Sequence, residues 1–411
     1  MIRRELLLGS GAWLVVSQAN ALEAPTKVRG LWRDDSGYVA IGAFPEFGQA
    51  PFVFDYASLL VGPLAHVGGP TWDVSGALNS RAPSAASLTL DQGVLRMGAR
   101  TLAPVALVRT SFAVPSLRKM IHAEVAKVSA RPCRGTVLMI YGSGPAPKEA
   151  LDLWSFWFLA AGFAVVTYDK RGSGQSTGDW RLSSLIDLAQ DASAVLGGVR
   201  SMGLQGPVFA WGASQAGWIE PQLGAAGLLD GIIMHAGAAT TPGAQIIDQI
   251  KYELKAYGFS PEEISRAAAY YGLDRDVSCG IRPWSDIDSA YKSASASGAE
   301  WILGPPPAAD AAERTMIKLM AGFDPTPYWR DNTAPTLALY GDRDWVVPVE
   351  TNLPRLREIV SSSTALSAIV LPGANHIMFQ AKSGTRDEYP KLSRIVPGYF
   401  EAIRTWLGQR S

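Results

Sequence analysis

A serine, an aspartate and a histidine stand where they could carry out nucleophilic catalysis. They are Ser214, Asp344 and His376, and each follows an apolar, strand-like run. A serine hydroxyl is a weak nucleophile, so it needs a base within hydrogen-bond reach and a third group that orients the base. The chain order serine, aspartate, histidine is one of the known triad orders on parallel sheets. We therefore predict acyl transfer with Ser214 as nucleophile, His376 as base and Asp344 as the orienting acid.

The segment around Ser214 is typical of a sharp turn between a strand and a helix. An apolar run ends at Gly212, and a helix-permissive run begins near Gln215. Small residues are needed on both sides of such a serine because the two backbones nearly touch. The usual pattern is G-x-S-x-G, and Ala216 stands here in the second glycine position, which makes the corner slightly more crowded. Taken alone, the pattern also fits an ordinary turn of serine and glycine.

Acyl transfer also requires donors for the oxyanion that develops in the transition state. We predict the backbone N–H of Gln215 as one donor and that of Ser143, in a glycine-rich loop, as the second. A simple glycine turn is the alternative interpretation of that loop. His235 also ends a strand, but it precedes the acid and is therefore expected in the pocket or the core. The residues predicted to line the substrate pocket are Tyr141, Gly142, His235, Trp218 and Trp345.

The elements that must position these residues alternate between strand and helix. Continuous apolar runs predict buried strands at 136–140, 162–168, 208–212, 231–235, 335–340 and 367–371. Such alternation predicts a parallel sheet with helices on both faces, and its reactive edge lies at the carboxyl ends of the strands. From about 240 to 330 the alternation stops and helix-like, aromatic-rich pieces take its place. We expect an inserted helical cap there, with a plain structural subdomain as the alternative.

The N-terminal part of the chain lacks this alternation of strand and helix patterns. Residues 1–21 contain adjacent arginines, a short apolar run and an A-x-A site, which together predict an export signal. The adjacent arginines resemble those of a twin-arginine signal. We therefore expect an exported protein, periplasmic or secreted, without a stable membrane anchor. Residues 27–129 hold short β-rich pieces separated by turn residues, which predict a small antiparallel sheet or barrel. We expect this domain to pack on the second domain, residues 130–411, and to border its cleft.

Composition narrows the classes of function. Apolar residues make up 47% of the chain and charged residues 18%, values typical of a folded globular protein. The 37 basic and 37 acidic residues cancel, so a nucleic-acid surface is not expected. Four histidines and two cysteines, widely scattered, make a metal site improbable, and no motif calls for a cofactor. Cys133 and Cys279 are expected to be free thiols because they lie in different parts of the fold.

Residues from about Thr136 onward resemble the α/β-hydrolase superfamily, and most of all its bacterial serine hydrolases related to carboxylesterases and serine aminopeptidases. The stretches that carry the resemblance are Tyr141-Gly-Ser-Gly, Asp169-Lys-Arg-Gly-Ser-Gly-Gln-Ser, Gly212-Ala-Ser-Gln-Ala-Gly, Gly341-Asp-Arg-Asp-Trp-Val-Val-Pro and Pro372-Gly-Ala-Asn-His. The resemblance implies an α/β-hydrolase fold and assigns nucleophile, acid and base to the same three residues. Two positions depart from the family pattern. Tyr141 stands where a histidine commonly precedes the oxyanion glycine, and Ala216 replaces the last glycine of the elbow.

Several alternatives remain open beside hydrolysis of a small-molecule carboxylic ester. A peptidase or amidase acting on short peptides would use the same triad, with Glu253, Glu262 and Glu263 of the cap as a possible site for a substrate amino group. A non-catalytic binding protein on the same fold would be expected to have lost a triad residue. A dinucleotide loop at Gly172-Ser-Gly174 is disfavoured because its third glycine is misplaced. Asp169 and Arg171 are expected to brace their loop rather than bind substrate.

Overall fold

The computed structural model describes residues 28–48, 50–129, 131–302, 304–362 and 364–410. The predicted export signal at residues 1–21 therefore lies outside the described residues. The first part of the chain forms a closed antiparallel barrel. Its strands are β1 Gly30–Asp34, β2 Gly37–Gly42, β3 Phe52–Asp55, β4 Leu60–Gly68, β5 Thr71–Ser75, β6 Ser84–Asp91, β7 Val94–Met97 and β8 Arg100–Pro104.

Apolar side chains on alternating strand positions form the core of the barrel. Val39, Leu88 and Leu95 are all fully buried in one cluster of such side chains. Pairing of β1 with β8 closes the ring, so no strand edge of the barrel is left open. The predicted small antiparallel sheet or barrel is confirmed.

The rest of the chain builds a second sheet with the order β16-β15-β14-β13-β11-β12-β10-β9. Its strands are β9 Leu107–Ser116, β10 Lys119–Val128, β11 Thr136–Ile140, β12 Ala164–Tyr168, β13 Val208–Ala213, β14 Gly231–His235, β15 Thr336–Gly341 and β16 Leu366–Leu371. The strands from β11 to β16 pair in parallel. Side chains of β11 to β15 are almost all buried on both faces, whereas the edge strand β16 exposes Ile369 and Val370. Burial on both faces explains why the inner segments are almost continuously apolar.

Helices cover both faces of this sheet, as predicted. One face packs against α1 Asp152–Ala161 and, near the C-terminus, against the helix Tyr399–Gly408. The other face packs against α2 Leu185–Ser201, α3 Glu220–Ala225 and the helix Val349–Ile359. Between β14 and β15 the described residues form the helices α4 Pro242–Ala256, α5 Pro261–Ser278, α6 Trp284–Ala296, α7 Ala312–Met320 and α8 Thr326–Asp331. The helices Val349–Ile359 and Tyr399–Gly408 are α9 and α10.

The predicted boundary between the two domains, at residues 129 and 130, does not match the boundary between the two sheets. The chain leaves the barrel at Pro104, and β9 and β10 form a hairpin that belongs to the second sheet. A tight turn at Leu117 and Arg118, both with positive φ, joins the two strands. Residues 105 and 106 connect the two sheets. Antiparallel pairing of β10 with β12 holds the hairpin in place.

Among the described residues, no helix has both the length and the apolar character that a membrane span requires. Cys133 and Cys279 are free, as expected.

Candidate active site

Ser214 occupies a strained turn at the carboxyl end of β13. Its φ is +54°, in the left-handed region that residues other than glycine rarely adopt. The 3₁₀ helix Ser214–Trp218 begins at this residue, and the Ser214 carbonyl accepts a hydrogen bond of 3.3 Å from the Ala238 N–H. Such a conformation costs about 1–3 kcal/mol and persists only where the surroundings enforce it. The predicted sharp corner between strand and helix is therefore present.

Glycines on both sides of Ser214 make this corner possible. A Cβ atom at Gly212 would lie 2.5 Å from the Ala216 Cβ, and one at Gly217 would lie 2.6 Å from the Ala238 nitrogen. Both distances are far below van der Waals contact, so neither position admits a side chain. The Ala216 methyl group itself is fully buried and occupies the space beside Gly212. The crowding predicted for Ala216 is thus accommodated by the glycine at position 212.

The predicted acid and base are in direct contact. His376 Nδ1 lies 2.9 Å from Asp344 Oδ2, and the Asp344 side chain is buried. The other carboxylate oxygen accepts hydrogen bonds from the backbone N–H groups of Val346 and Val347, at 2.8 and 2.9 Å. These bonds fix the carboxylate so that it orients the imidazole. Asp342, the other carboxylate of the same loop, instead accepts a bond from the Gly373 N–H.

Ser214 and His376 follow strands that end at the same edge of the sheet. In the part of the chain described, the Ser214 hydroxyl makes no hydrogen bond with His376. In enzymes without substrate this bond is often long and tightens only when the substrate is bound. The geometry therefore brings acid and base together and places the nucleophile on the same edge.

The loop predicted to supply an oxyanion donor lies directly against the nucleophile. A Cβ atom at Gly142 would be 3.2 Å from the Ser214 Cβ, so a side chain there would push against the serine. The next residue, Ser143, is half-buried. Its N–H and that of Gln215 therefore belong to the two segments that meet at Ser214.

Two functional side chains at this site were not predicted. Glu46, from the short 3₁₀ helix Pro45–Phe47 of the barrel domain, accepts a hydrogen bond of 2.6 Å from the Tyr141 hydroxyl. Burial raises the pKa of the Glu46 carboxyl, partly offset by the Tyr141 hydrogen bond and the nearby His376. The second is Lys170, whose Nζ lies 2.7 Å from the Gly142 carbonyl oxygen and 2.8 Å from Gln215 Oε1. Only the position of Lys170, between Asp169 and Arg171, hinted at a role.

Two of the residues named for the pocket, His235 and Trp218, are buried, and for His235 this agrees with the core alternative. His235 is 3% exposed, its Nδ1 is 2.8 Å from the Tyr399 hydroxyl, and its ring packs against Trp154 and Trp211. Burial lowers the pKa of His235 to about 3, so its imidazole is neutral. Trp218 is also buried, and its indole N–H donates to the Thr240 carbonyl. His235 lies near His376, whose charge lowers the His235 pKa and whose backbone partly offsets that lowering.

Trp345 and the Asp169 loop are each held in place by hydrogen bonds. The half-buried Trp345 follows Asp344 directly, and its indole N–H donates to the Ser383 carbonyl at 2.7 Å. The Asp169 carboxylate accepts bonds from the N–H groups of Lys148 and Gln175. Arg171 pairs with the buried Asp191. The predicted bracing role of Asp169 and Arg171 is confirmed.

Within the described ranges, no group of three or more histidine, cysteine, aspartate or glutamate side chains could hold a metal ion.

The chain is similar to known proteins in both sequence and fold. The alpha/beta hydrolase family matches residues 142–384, more than half of the chain. The bifunctional esterase/perhydrolase of Acinetobacter calcoaceticus is 23% identical over 259 residues, which cover 60% of this chain and 87% of the relative. Among solved structures, a carboxyl esterase from Bacillus coagulans has a TM-score of 0.47 at 18% identity, covering 74% of this chain and 99% of that one. A proline iminopeptidase from Mycobacterium smegmatis has a TM-score of 0.45 at 16% identity, covering 73% and 98%.

Proposed function

This chain belongs to the alpha/beta hydrolase family, and on that premise we propose that it hydrolyses carboxylic esters of small molecules through an acyl-enzyme on Ser214. The observation that carries the proposal is the strained Ser214 turn packed against Gly142, on the same sheet edge as the bonded pair of His376 and Asp344. In the proposed arrangement, the Ser214 hydroxyl lies between a base, His376, and the backbone donors of Gln215 and Ser143. That combination suits attack on an acyl carbon.

In the first half of the reaction, His376 Nε2 removes the Ser214 proton as Oγ bonds to the acyl carbon. The electron pair of the carbonyl moves onto its oxygen, and the N–H groups of Gln215 and Ser143 stabilise this oxyanion. Asp344 accepts the Nδ1–H of His376 and stabilises the imidazolium that forms. The carbonyl then re-forms, the bond to the alcohol breaks, and His376 gives its proton to the leaving alkoxide.

In the second half, water takes the place of the alcohol. His376 removes a proton from the water as its oxygen attacks the acyl-enzyme, and a second oxyanion forms at the same donors. Collapse of this intermediate breaks the bond to Ser214 Oγ, which takes the proton back from His376. The products are a carboxylic acid and the free enzyme, so no cofactor is needed in the proposed cycle.

Two observations support esters over peptides as substrates. The curated relative is named as an esterase. In addition, two of the three cap glutamates considered for a substrate amino group have other partners. Glu253 Oε1 lies 2.9 Å from Arg386 Nε, and Glu263 caps α5 through the backbone and hydroxyl of Ser260. Glu262 is exposed on the same helix. These side chains therefore do not form a cluster of free carboxylates.

The test compares hydrolysis of p-nitrophenyl acetate and butyrate with that of aminoacyl p-nitroanilides. We expect ester hydrolysis by the wild type and a fall in turnover of about 10⁴- to 10⁶-fold in Ser214→Ala. Ser201→Ala is the matched control, because this exposed serine ends α2 and its hydroxyl bonds only the Gly198 carbonyl. A preference for the anilides would make the chain a peptidase. No hydrolysis of either class would indicate a binding protein.

A further inference from the structure

Lys170 is a buried lysine that the proposed reaction does not use directly. It follows β12 in the loop at the sheet edge, and its side chain is 5% exposed. Its ammonium group lies between the two segments that meet at Ser214. One contact is with the Gly142 carbonyl oxygen at 2.7 Å, and the other is with Gln215 Oε1 at 2.8 Å.

The first contact fixes the orientation of a peptide group. The Gly142 carbonyl and the Ser143 N–H belong to the same planar peptide unit, and in a trans peptide they point in opposite directions. A hydrogen bond from Lys170 to the carbonyl therefore also fixes the direction of the Ser143 N–H. Without it, a glycine-containing loop could rotate this peptide at low cost.

The second contact holds the residue after the nucleophile. Gln215 is 1% exposed, and its side-chain amide is held at both ends: Oε1 faces Lys170, and Nε2 lies 3.6 Å from the Met320 sulfur. These contacts fix the Gln215 side chain, and the backbone N–H of the same residue is the other proposed oxyanion donor. One side chain thus touches both segments that supply these donors.

The surroundings of Lys170 suit a hydrogen-bonding clamp. The face of the Trp180 ring lies 5.2 Å from Nζ, which adds a cation–π contact. The flanking charged residues are engaged elsewhere, Asp169 with backbone N–H groups and Arg171 with Asp191. Burial lowers the pKa of Lys170 to about 7, so both the ammonium and the amine are populated near neutral pH. Either form has enough N–H donors for both oxygens.

We propose that Lys170 is a positioning residue that orients both backbone donors of the oxyanion hole, the Ser143 N–H through the Gly142 carbonyl and the Gln215 N–H through the Gln215 side chain. This inference rests on the proposed ester hydrolysis. The proposal predicts that loss of Lys170 affects the chemical step and not substrate binding. The donors act on charge that develops only in the transition state, so loss of Lys170 lowers kcat and leaves substrate binding nearly unchanged.

The test uses Lys170→Met, which keeps the length of the side chain and removes its donors. We expect kcat for p-nitrophenyl butyrate to fall by about 10- to 100-fold, with KM within about threefold of the wild type. Lys148→Met is the matched control. This lysine begins the 3₁₀ helix Lys148–Leu151, and its Nζ pairs only loosely with Glu149 and Asp169, at 3.4 and 4.0 Å. Its kcat is expected to stay at the wild-type value.

A second readout separates positioning from a general structural role. An alkyl boronic acid forms a tetrahedral adduct with a reactive serine and places an oxygen where the oxyanion would lie. Its Ki should weaken in Lys170→Met by the same factor as kcat/KM, because both report the transition-state geometry. Active-site titration with a p-nitrophenyl phosphonate counts the competent enzyme and removes any misfolded fraction from kcat. Lys170→Gln, which keeps one donor, should recover part of the loss and replaces the methionine variant if that variant does not fold.

The outcomes distinguish the two proposals. An active wild type with unchanged kcat and boronate Ki in Lys170→Met would overturn the positioning role and leave the ester hydrolase intact. A fall in the titrated fraction alone, with kcat per active site unchanged, would also overturn it. A wild type that is inactive on every ester would overturn the proposed function, and with it the inference that rests on that function. A matched fall in kcat and boronate affinity, partly restored in Lys170→Gln, supports the inference.

Discussion

The Tyr141 hydroxyl donates a hydrogen bond of 2.6 Å to Glu46 Oε1, and this bond joins the barrel to the loop that precedes Ser143. Desolvation raises the pKa of both groups. The charge of His376 also acts on Glu46, so the carboxyl lies within electrostatic range of the proposed base. The barrel therefore borders the proposed cleft and contributes a side chain to it.

Loss of this bond should affect catalysis more than stability. In Tyr141→Phe, the loop before Ser143 loses its link to the barrel, and we expect kcat/KM for p-nitrophenyl butyrate to fall roughly tenfold. Tyr56→Phe is the control, because the Tyr56 hydroxyl also links the domains, through the Leu153 carbonyl at 2.7 Å. That variant should lower the thermal midpoint and keep kcat/KM. Equal effects of the two variants on kcat/KM would show that the Tyr141 bond serves only to hold the domains together.

Substitution of the two carboxylates in the loop after β15 should have very different effects on kcat. Asp344→Asn removes the anion that orients His376, and we expect kcat to fall about 10⁴-fold. Asp342→Asn keeps an oxygen that can accept the Gly373 N–H, so its kcat should stay close to that of the wild type. Steady-state kinetics of both variants on one ester checks the assignment. A large loss in Asp342→Asn with little in Asp344→Asn would reverse it.

Steric limits at the Ser214 turn predict a large effect on stability. A methyl group at Gly212 would overlap the Ala216 Cβ, so Gly212→Ala should lower the free energy of unfolding by about 1–3 kcal/mol or more, measured by urea denaturation. The double variant Gly212→Ala/Ala216→Gly should recover part of the loss, with the contact to Glu220 remaining. Gly197→Ala in α2 is the control, because a Cβ there meets nothing within 4 Å. That change should be neutral or stabilising by about 0.5–1 kcal/mol, and a similar loss in both single variants would refute the steric argument.

Glu220 should make stability depend on pH. It is fully buried beside Gly212 at the Ser214 turn, and among the described residues neither carboxylate oxygen makes a hydrogen bond of normal geometry. Desolvation raises its pKa well above 4.5, and the Gly212 backbone offsets only part of that shift. The folded chain therefore keeps a proton that the unfolded chain releases, so stability is full below the unfolded pKa and falls as pH rises toward the folded pKa.

Glu220→Gln is the test of that linkage. The amide is similar in shape and cannot ionise, so the variant should lose this part of the pH dependence. Relative to the wild type, its thermal midpoint should rise as the pH increases above the unfolded pKa of a glutamate, about 4.3. Glu262→Gln, on the exposed face of α5, should give the wild-type profile. Parallel curves for wild type and Glu220→Gln would mean that the carboxyl is already ionised in the folded protein.

Much of the hydrolase domain could be predicted from the sequence because its buried parallel strands are almost entirely apolar. Such runs stand out from their surroundings, and the residues after them must meet at one edge of the sheet. That rule brings Asp344 and His376 together, although they are far apart in the sequence. The hairpin β9–β10 was missed because one of its strands, residues 107–116, is largely exposed and carries polar residues. Its membership in the second sheet depends on pairing with β12, which no local pattern reveals.

The positions of some side chains could not be predicted from the sequence for a different reason. Glu46 reaches the site from another domain, so its place depends on how the barrel packs on the sheet. Lys170 lies inside a recognisable stretch, but burial of its ammonium group depends on loops distant in the sequence. His235 ends a strand like the catalytic residues, yet its side chain points into the helix-covered face. The sequence locates the end of a strand more readily than the direction of the side chain there.

The barrel also pairs with the segment that follows His376, the proposed base. Leu78 N–H donates to the Leu392 carbonyl, Val61 N–H to that of Ser393, and Ile395 N–H to that of Leu59, at 2.7, 2.7 and 3.1 Å. A chain trimmed to begin at β11 would leave these groups unsatisfied and would also uncover the edge of β12. The barrel is thus not a detachable module, and expression of the hydrolase half alone should yield aggregates rather than a minimal enzyme.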